Sequence, residues 1–135
     1  MKVVLDTNVL LSGLLAPDGT PGHILRAWLE ARFDVAMSIE QLAEIGRVLG
    51  YSKIQRKLQW DEQRIEQFIW QLYIRTDVVN LHALSVQVPR DPKDMPILAT
   101  LVASDADILV TRDRDLLDLR GKYPIQTPAE FARRL

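Results

Sequence analysis

The chain has no cysteine, which excludes a disulfide scaffold, a thiolate zinc site and a cysteine nucleophile. It also has no excess of one charge. Its 17 Lys+Arg stand against 18 Asp+Glu, for a formal net charge of -1, unlike a basic nucleic-acid coat protein or an acidic disordered tail. No apolar run approaches the ~18 residues of a membrane span, so no membrane is expected among its partners. Met1-Lys2-Val3-Val4-Leu5-Asp6 turns acidic too soon for a signal peptide. Repeats, low-complexity tracts and linkers are absent, and the 7 Pro and 6 Gly are dispersed as local punctuation. What is present is 135 residues, 47% of them apolar. A chain of this mass buries about two thirds of its surface on folding. The expectation is one cytoplasmic domain spanning 1–135.

Short apolar runs alternate with helical patterns. Val3-Val4-Leu5, Phe33 to Met37, Val78 to Leu81, Ile108-Leu109-Val110 and Ile125-Gln126 read as strands. Asn8 to Leu15 reads as a helix, and Thr20-Pro21 as the N-cap and first position of the next. Ser38-Ile39-Glu40-Gln41 and Thr127-Pro128-Ala129-Glu130 match capping boxes. Asp61 caps the longest helix, with Trp60 and Ile65 at the staple positions and a core stripe of Ile65, Phe68, Ile69, Leu72 and Tyr73. A turn from Pro89 to Pro92 precedes an apolar helix over Met95 to Ser104. The alternation predicts an α/β fold with a mostly parallel sheet covered on both faces. Ligands then bind beyond the carboxyl ends of the strands, where strand order reverses.

Acidic residues concentrate there. Asp6 follows the first strand directly, and Asp113 follows Ile108-Leu109-Val110-Thr111 after one residue. Asp94 precedes the Pro96 helix, with Asp91 three residues earlier, and Asp115 follows Asp113 by two. Glu44 sits far from the Leu42/Ile45/Leu49 core stripe of its helix. Each acid also has a plain alternative: Asp6, Asp94 and Asp113 as helix caps, Glu40 and Glu44 as a solvated helix face. Gathered at one sheet edge, the acids would raise each other's pKa. Mg²⁺ or Mn²⁺, which prefers oxygen ligands, would relieve that repulsion. One ion, or two roughly 3.5–4 Å apart, could activate water and orient a phosphodiester.

These segments, in this order, resemble the PIN-domain nucleases. Val3 to Ser12 resembles their first motif, Ser38 to Leu49 the second, Arg90-Asp91-Pro92-Lys93-Asp94 the third and Ala106 to Leu117 the fourth, and Thr127 to Phe131 fits their ending. The likeness is strongest to the branch assigned to toxin components of toxin–antitoxin systems. It implies a three-layer α/β/α sandwich with about five strands and a metal-dependent endoribonuclease acting on RNA. It further implies catalytic Asp6, Glu44, Asp94 and Asp113, with metal held by Asp6, Asp94, Asp113 and, for a second ion, Asp115. Thr7, Asn8, Thr111 and Asp91 match supporting positions. Two departures stand out: Met95, where relatives carry a polar or acidic residue, and Arg112, where a small residue is common.

Arg112 has a planar fork suited to a scissile phosphate, with a surface-pointing orientation as the alternative. Lys53, Arg56 and Lys57 form a basic cluster that would track an RNA backbone without base specificity, or else make an ordinary solvated helix face. His23 and His82 lack ligand spacing and read as structural. Trp70, off the core stripe, is core or the anchor of a homodimer contact. The resemblance also implies a cognate antitoxin. The rivals are an inactive PIN-like module that binds RNA or protein, an aspartyl phosphatase, disfavoured by Asn8, and a phospho-acceptor signalling domain. The last lacks the Lys expected after the final strand, where Gln126-Thr127 stands.

Overall fold

The computed structural model describes residues 1–81 and 95–135, the Met95 side chain excepted. Asp91, Asp94, His82 and the Pro89–Pro92 turn lie outside the described residues. The described chain runs β1 (Lys2–Leu5), α1 (Thr7–Leu15), α2 (Thr20–Leu29), β2 (Asp34–Ser38), α3 (Ile39–Leu49), α4 (Ser52–Leu58) and α5 (Glu62–Arg75). It continues with β3 (Asp77–Val79), α6 (Met95–Ser104), β4 (Ile108–Val110), α7 (Arg114–Leu117), β5 (Ile125–Gln126) and α8 (Pro128–Ala132). The strands form one sheet of order β3-β2-β1-β4-β5, and every pairing in it is parallel.

Successive residues of a strand face opposite sides of the sheet, and the two cores divide accordingly. Val3, Leu5, Val35, Met37, Ile108 and Val110 bury one face beneath α1, α2, α3, α5 and α8. Val4, Ala36 and Leu109 bury the other beneath α6, with Leu116 and Leu119 beyond it. The result is the expected three-layer α/β/α sandwich. The chain builds outward from β1 to β2 and β3, then returns to lay β4 and β5 on the other side of β1. Strand order therefore reverses between β1 and β4, which opens a crevice at their carboxyl ends.

Local signals hold with small shifts. Thr127 and Glu130 make both halves of their capping box, and the Asp61 carboxylate accepts from Arg64 N–H at 2.8 Å. The α2 cap moves to Gly19, whose carbonyl accepts from His23 N–H, so Thr20 is already helical. Trp60 packs against Phe68 in a tilted arrangement, with ring centroids 5.1 Å apart, and lies under the Arg64 guanidinium. Tyr73, expected in the core stripe, is 51% exposed. It borders a cleft between α3 and α5 instead of filling the space between them.

The start of α2 lies so close to the preceding turn that a Cβ on Gly22 would sit 2.0 Å from the Pro17 carbonyl oxygen. Gly22→Ala must displace backbone, at a cost on the order of 3 kcal/mol. Urea unfolding should show the loss as a lower midpoint, and an unchanged midpoint would mean that α2 can slide off Pro17 freely.

Candidate functional site

The β1–β4 register places Leu5 opposite Val110, so the next residues, Asp6 and Thr111, emerge side by side in the crevice. Asp6 N–H continues the ladder to Val110 O at 2.9 Å. Asp6 then begins α1, its carbonyl accepting from Val9 and Leu10 N–H. Its carboxylate makes no capping bond to that helix, so capping does not account for it. Oδ2 instead accepts from the Thr111 hydroxyl at 2.7 Å. The same fully buried hydroxyl oxygen accepts from Asp113 N–H at 3.0 Å. One threonine thus ties the first acid to the backbone of the last.

Asp113 does cap α7. Its Oδ1 accepts from Asp115 N–H at 2.8 Å and Leu116 N–H at 3.3 Å, and both Asp113 and Asp115 are exposed. Glu44 is partly buried on α3, three residues and hence one helical face from Gln41. Glu40, weighed as part of a solvated face, is partly buried as well. Burial, first of all, pushes the Asp6 carboxyl above its ordinary value of 3.8, and the charges of Asp113 and Glu44 push it further. The Thr111 hydroxyl and the Thr7 N–H pull against them. Three sequence-distant acids therefore share one electrostatic neighbourhood. Among the described residues, no three acidic or histidine side chains enclose a single point, and Asp94 and Asp91 are not among those described.

The donor chemistry suits a hard cation: only oxygen ligands, all of one charge, one of them partly buried with its pKa raised. Of the supporting positions, Thr111 bonds Asp6 directly, and Thr7 is buried beside it. Asn8 is exposed, with no hydrogen bond to Asp6 among the described contacts. Arg112 points along the surface, its guanidinium 3.5 Å from Ser12 Oγ. Lys53, Arg56 and Lys57 are exposed on α4, which packs against α1 and α3, the two helices that start at the crevice. His23 is exposed on α2.

Sequence reasoning missed Gln41. Its backbone N–H is capped by Ser38, donating to Ser38 Oγ at 3.0 Å. Its side chain does not complete the expected capping box. It turns into the crevice instead, where Nε2 donates to Leu5 O at 2.7 Å and lies 3.5 Å from Thr7 Oγ1. Its place one turn before Glu44, on the same helix face, was the available signal.

The sequence profile of the PIN domain matches residues 2–115. An uncharacterized protein of Methanocaldococcus jannaschii is 33% identical over 97% of this chain and 89% of its own length. The crystal structure of VapBC2 from Rickettsia felis, bound to a DNA fragment from their promoter, contains a chain of similar fold. That chain superposes with a TM-score of 0.62 at 15% identity, over 94% of this chain and 98% of its own.

A carboxyl whose pKa is raised by folding holds its proton better in the folded state. The metal-free protein should therefore lose stability as the pH climbs from 3.8 through the raised value of Asp6. Asp6→Asn keeps an acceptor for Thr111 and removes the charge. It is expected to raise the Tm of metal-free protein at neutral pH, with the gain disappearing near about pH 3. Calorimetry across that range checks this, and a lower Tm for Asp6→Asn at neutral pH would show that the charge is stabilising after all.

Proposed function

The chain belongs to the PIN-domain family, and from that premise we propose that it is a metal-dependent endoribonuclease of toxin type, working as one domain over 1–135. The observation that carries the reading is the Thr111 hydroxyl joining Asp6 to Asp113 at the strand-order switch, with Glu44 in the same field. In this reading Asp6, Asp113 and Asp94 hold Mg²⁺ or Mn²⁺, Glu44 completes the acidic site, and Asp115 serves a second ion. Bound there, the cation supplies Lewis acidity toward a phosphodiester and eases deprotonation of water near neutral pH.

The protein's own groups do the placing. Thr111 engages Oδ2 of Asp6 and the Thr7 N–H also supports the carboxylate, which orients its remaining lone pairs for a ligand. The α7 cap does the same for Asp113, engaging Oδ1 and leaving Oδ2. The N-termini of α1 and α3 open at the crevice, where their partial positive charge favours an anionic phosphate. Arg112 and the α4 cations Lys53, Arg56 and Lys57 contact RNA phosphates along the way in, reading charge rather than base. Asn8, exposed beside Asp6, and Asp91 complete the support.

A protein partner also fits. A cleft of about 410 Å³ between α3 and α5 is lined by Leu42, Gly46, Ile65, Ile69, Trp70 and Tyr73. Trp70 and Tyr73 stack with centroids 5.7 Å apart while 62% and 51% exposed. This apolar surface supports a homodimer and an antitoxin among the partners. No described helix is long and apolar enough to cross a membrane, in keeping with the proposed cytoplasmic location. An inactive binding module is the second reading, favoured by Met95 and Arg112 at two of the motif positions.

Incubation of a mixed RNA pool with Mn²⁺, with and without chelator, separates the two. Cleavage is expected from the wild type, none with chelator, and none from Asp6→Asn or Asp113→Asn. A wild type that cuts nothing and gains no Tm from Mn²⁺ is a binding module. For the dimer, light scattering should find the wild type at twice the monomer mass and Trp70→Asp at the monomer mass. A monomeric wild type removes the homodimer.

A further inference from the structure

The link between β1 and α3 at the crevice is not made by the sheet. The β1–β2 register covers Lys2↔Asp34 and Val3↔Val35 and ends there, while β1 stays paired with β4 as far as Leu5. Beyond the last ladder pair, the Gln41 amide adds a side-chain link, reaching from the first turn of α3 to Leu5 O and Thr7 Oγ1. Those two residues bracket Asp6. Gln41 is 1% exposed, and its own N–H is held by Ser38, so the side chain has a fixed base. Its Oε1 is buried with no hydrogen-bond partner among the described residues. Packing alone would be served by Leu or Met at this position; the amide instead touches the turn that carries Asp6.

We propose that Gln41 is a positioning residue that sets the separation of Glu44 from Asp6, by pinning the Leu5–Thr7 turn to the helix that carries Glu44. Donation to Leu5 O ties the last residue of β1 to α3 through a side chain. Glu44 lies one turn further along the same face and follows whatever α3 does. Without the amide, α3 remains anchored by Leu42, Ile45 and Leu49 in the core, so the fold persists while the two carboxylates lose their register. The effect on cation binding rests on the nuclease reading above; the mechanical link does not.

Gln41→Met keeps the length and volume of the side chain and removes the donor. Gln41→Leu also removes the donor and guards against an effect peculiar to methionine. Both are expected to fold cooperatively. In metal-free protein, amide exchange at Val9 and Leu10, whose N–H groups bond to Asp6 O, should speed up relative to the core amides of β4. Calorimetric Mn²⁺ affinity should fall about tenfold or more, and kcat should fall with KM for RNA unchanged. In a Glu44→Gln background, Gln41→Met should cost no further Mn²⁺ affinity, because both changes remove the same contribution. A general loss of structure would instead add to the Glu44→Gln effect. The proposal is overturned by wild-type exchange at Val9 and Leu10 in both variants, or by additive losses in the double variant. Faster exchange in a protein whose wild type cuts no RNA would strike the nuclease reading and support this one.

Discussion

One buried hydroxyl organises the crevice. Thr111 donates to the Asp6 carboxylate and accepts from the Asp113 backbone, so two like charges that would otherwise separate are held at one sheet edge. A partly buried carboxylate beside two others is a costly arrangement, and the raised pKa of Asp6 records that cost. Nothing in the folding of the sheet requires it. Val4 and Leu109 are fully buried and would pair and pack equally well with neutral residues after them. In the proposed function, a bound cation would relieve that repulsion.

The fold supplies the place. β1 sits at the centre of the sheet, with β2 on one side and β4 on the other. The two helices that leave the crevice, α1 and α3, start from residues that also serve it: Asp6 as the cap position of α1 and Ser38 as the cap of α3. At Asp6, one residue serves both: its carbonyl starts α1 while its carboxylate accepts from Thr111. Gln41 carries this furthest, as its N–H is part of a cap while its side chain bridges to β1.

Much of this was legible from residue order. The five strands, the acids after β1 and β4 and the caps at Ser38, Asp61 and Thr127 all follow from local rules, because apolar periodicity and capping act over a few residues. That Glu44 stands off the core stripe of α3 was legible too, and it is only partly buried. Three features were not. Tyr73 fits the stripe of α5 by spacing but is left outside the core, since spacing does not say how far apart two helices settle. Thr20 lost the cap position to Gly19, a one-residue choice made by backbone geometry. Gln41 was hidden because a capping box accounts for a glutamine at that position equally well.

The sequence by itself determined which residues are strands, which are helices and which acids stand at strand ends, since those depend on neighbours within a turn or two. Only the tertiary structure decided which ends meet. Thr111 and Asp6 are 105 positions apart and Gln41 and Leu5 are 36. Contacts of that span are set by strand order and register, and in those the entire buried core takes part.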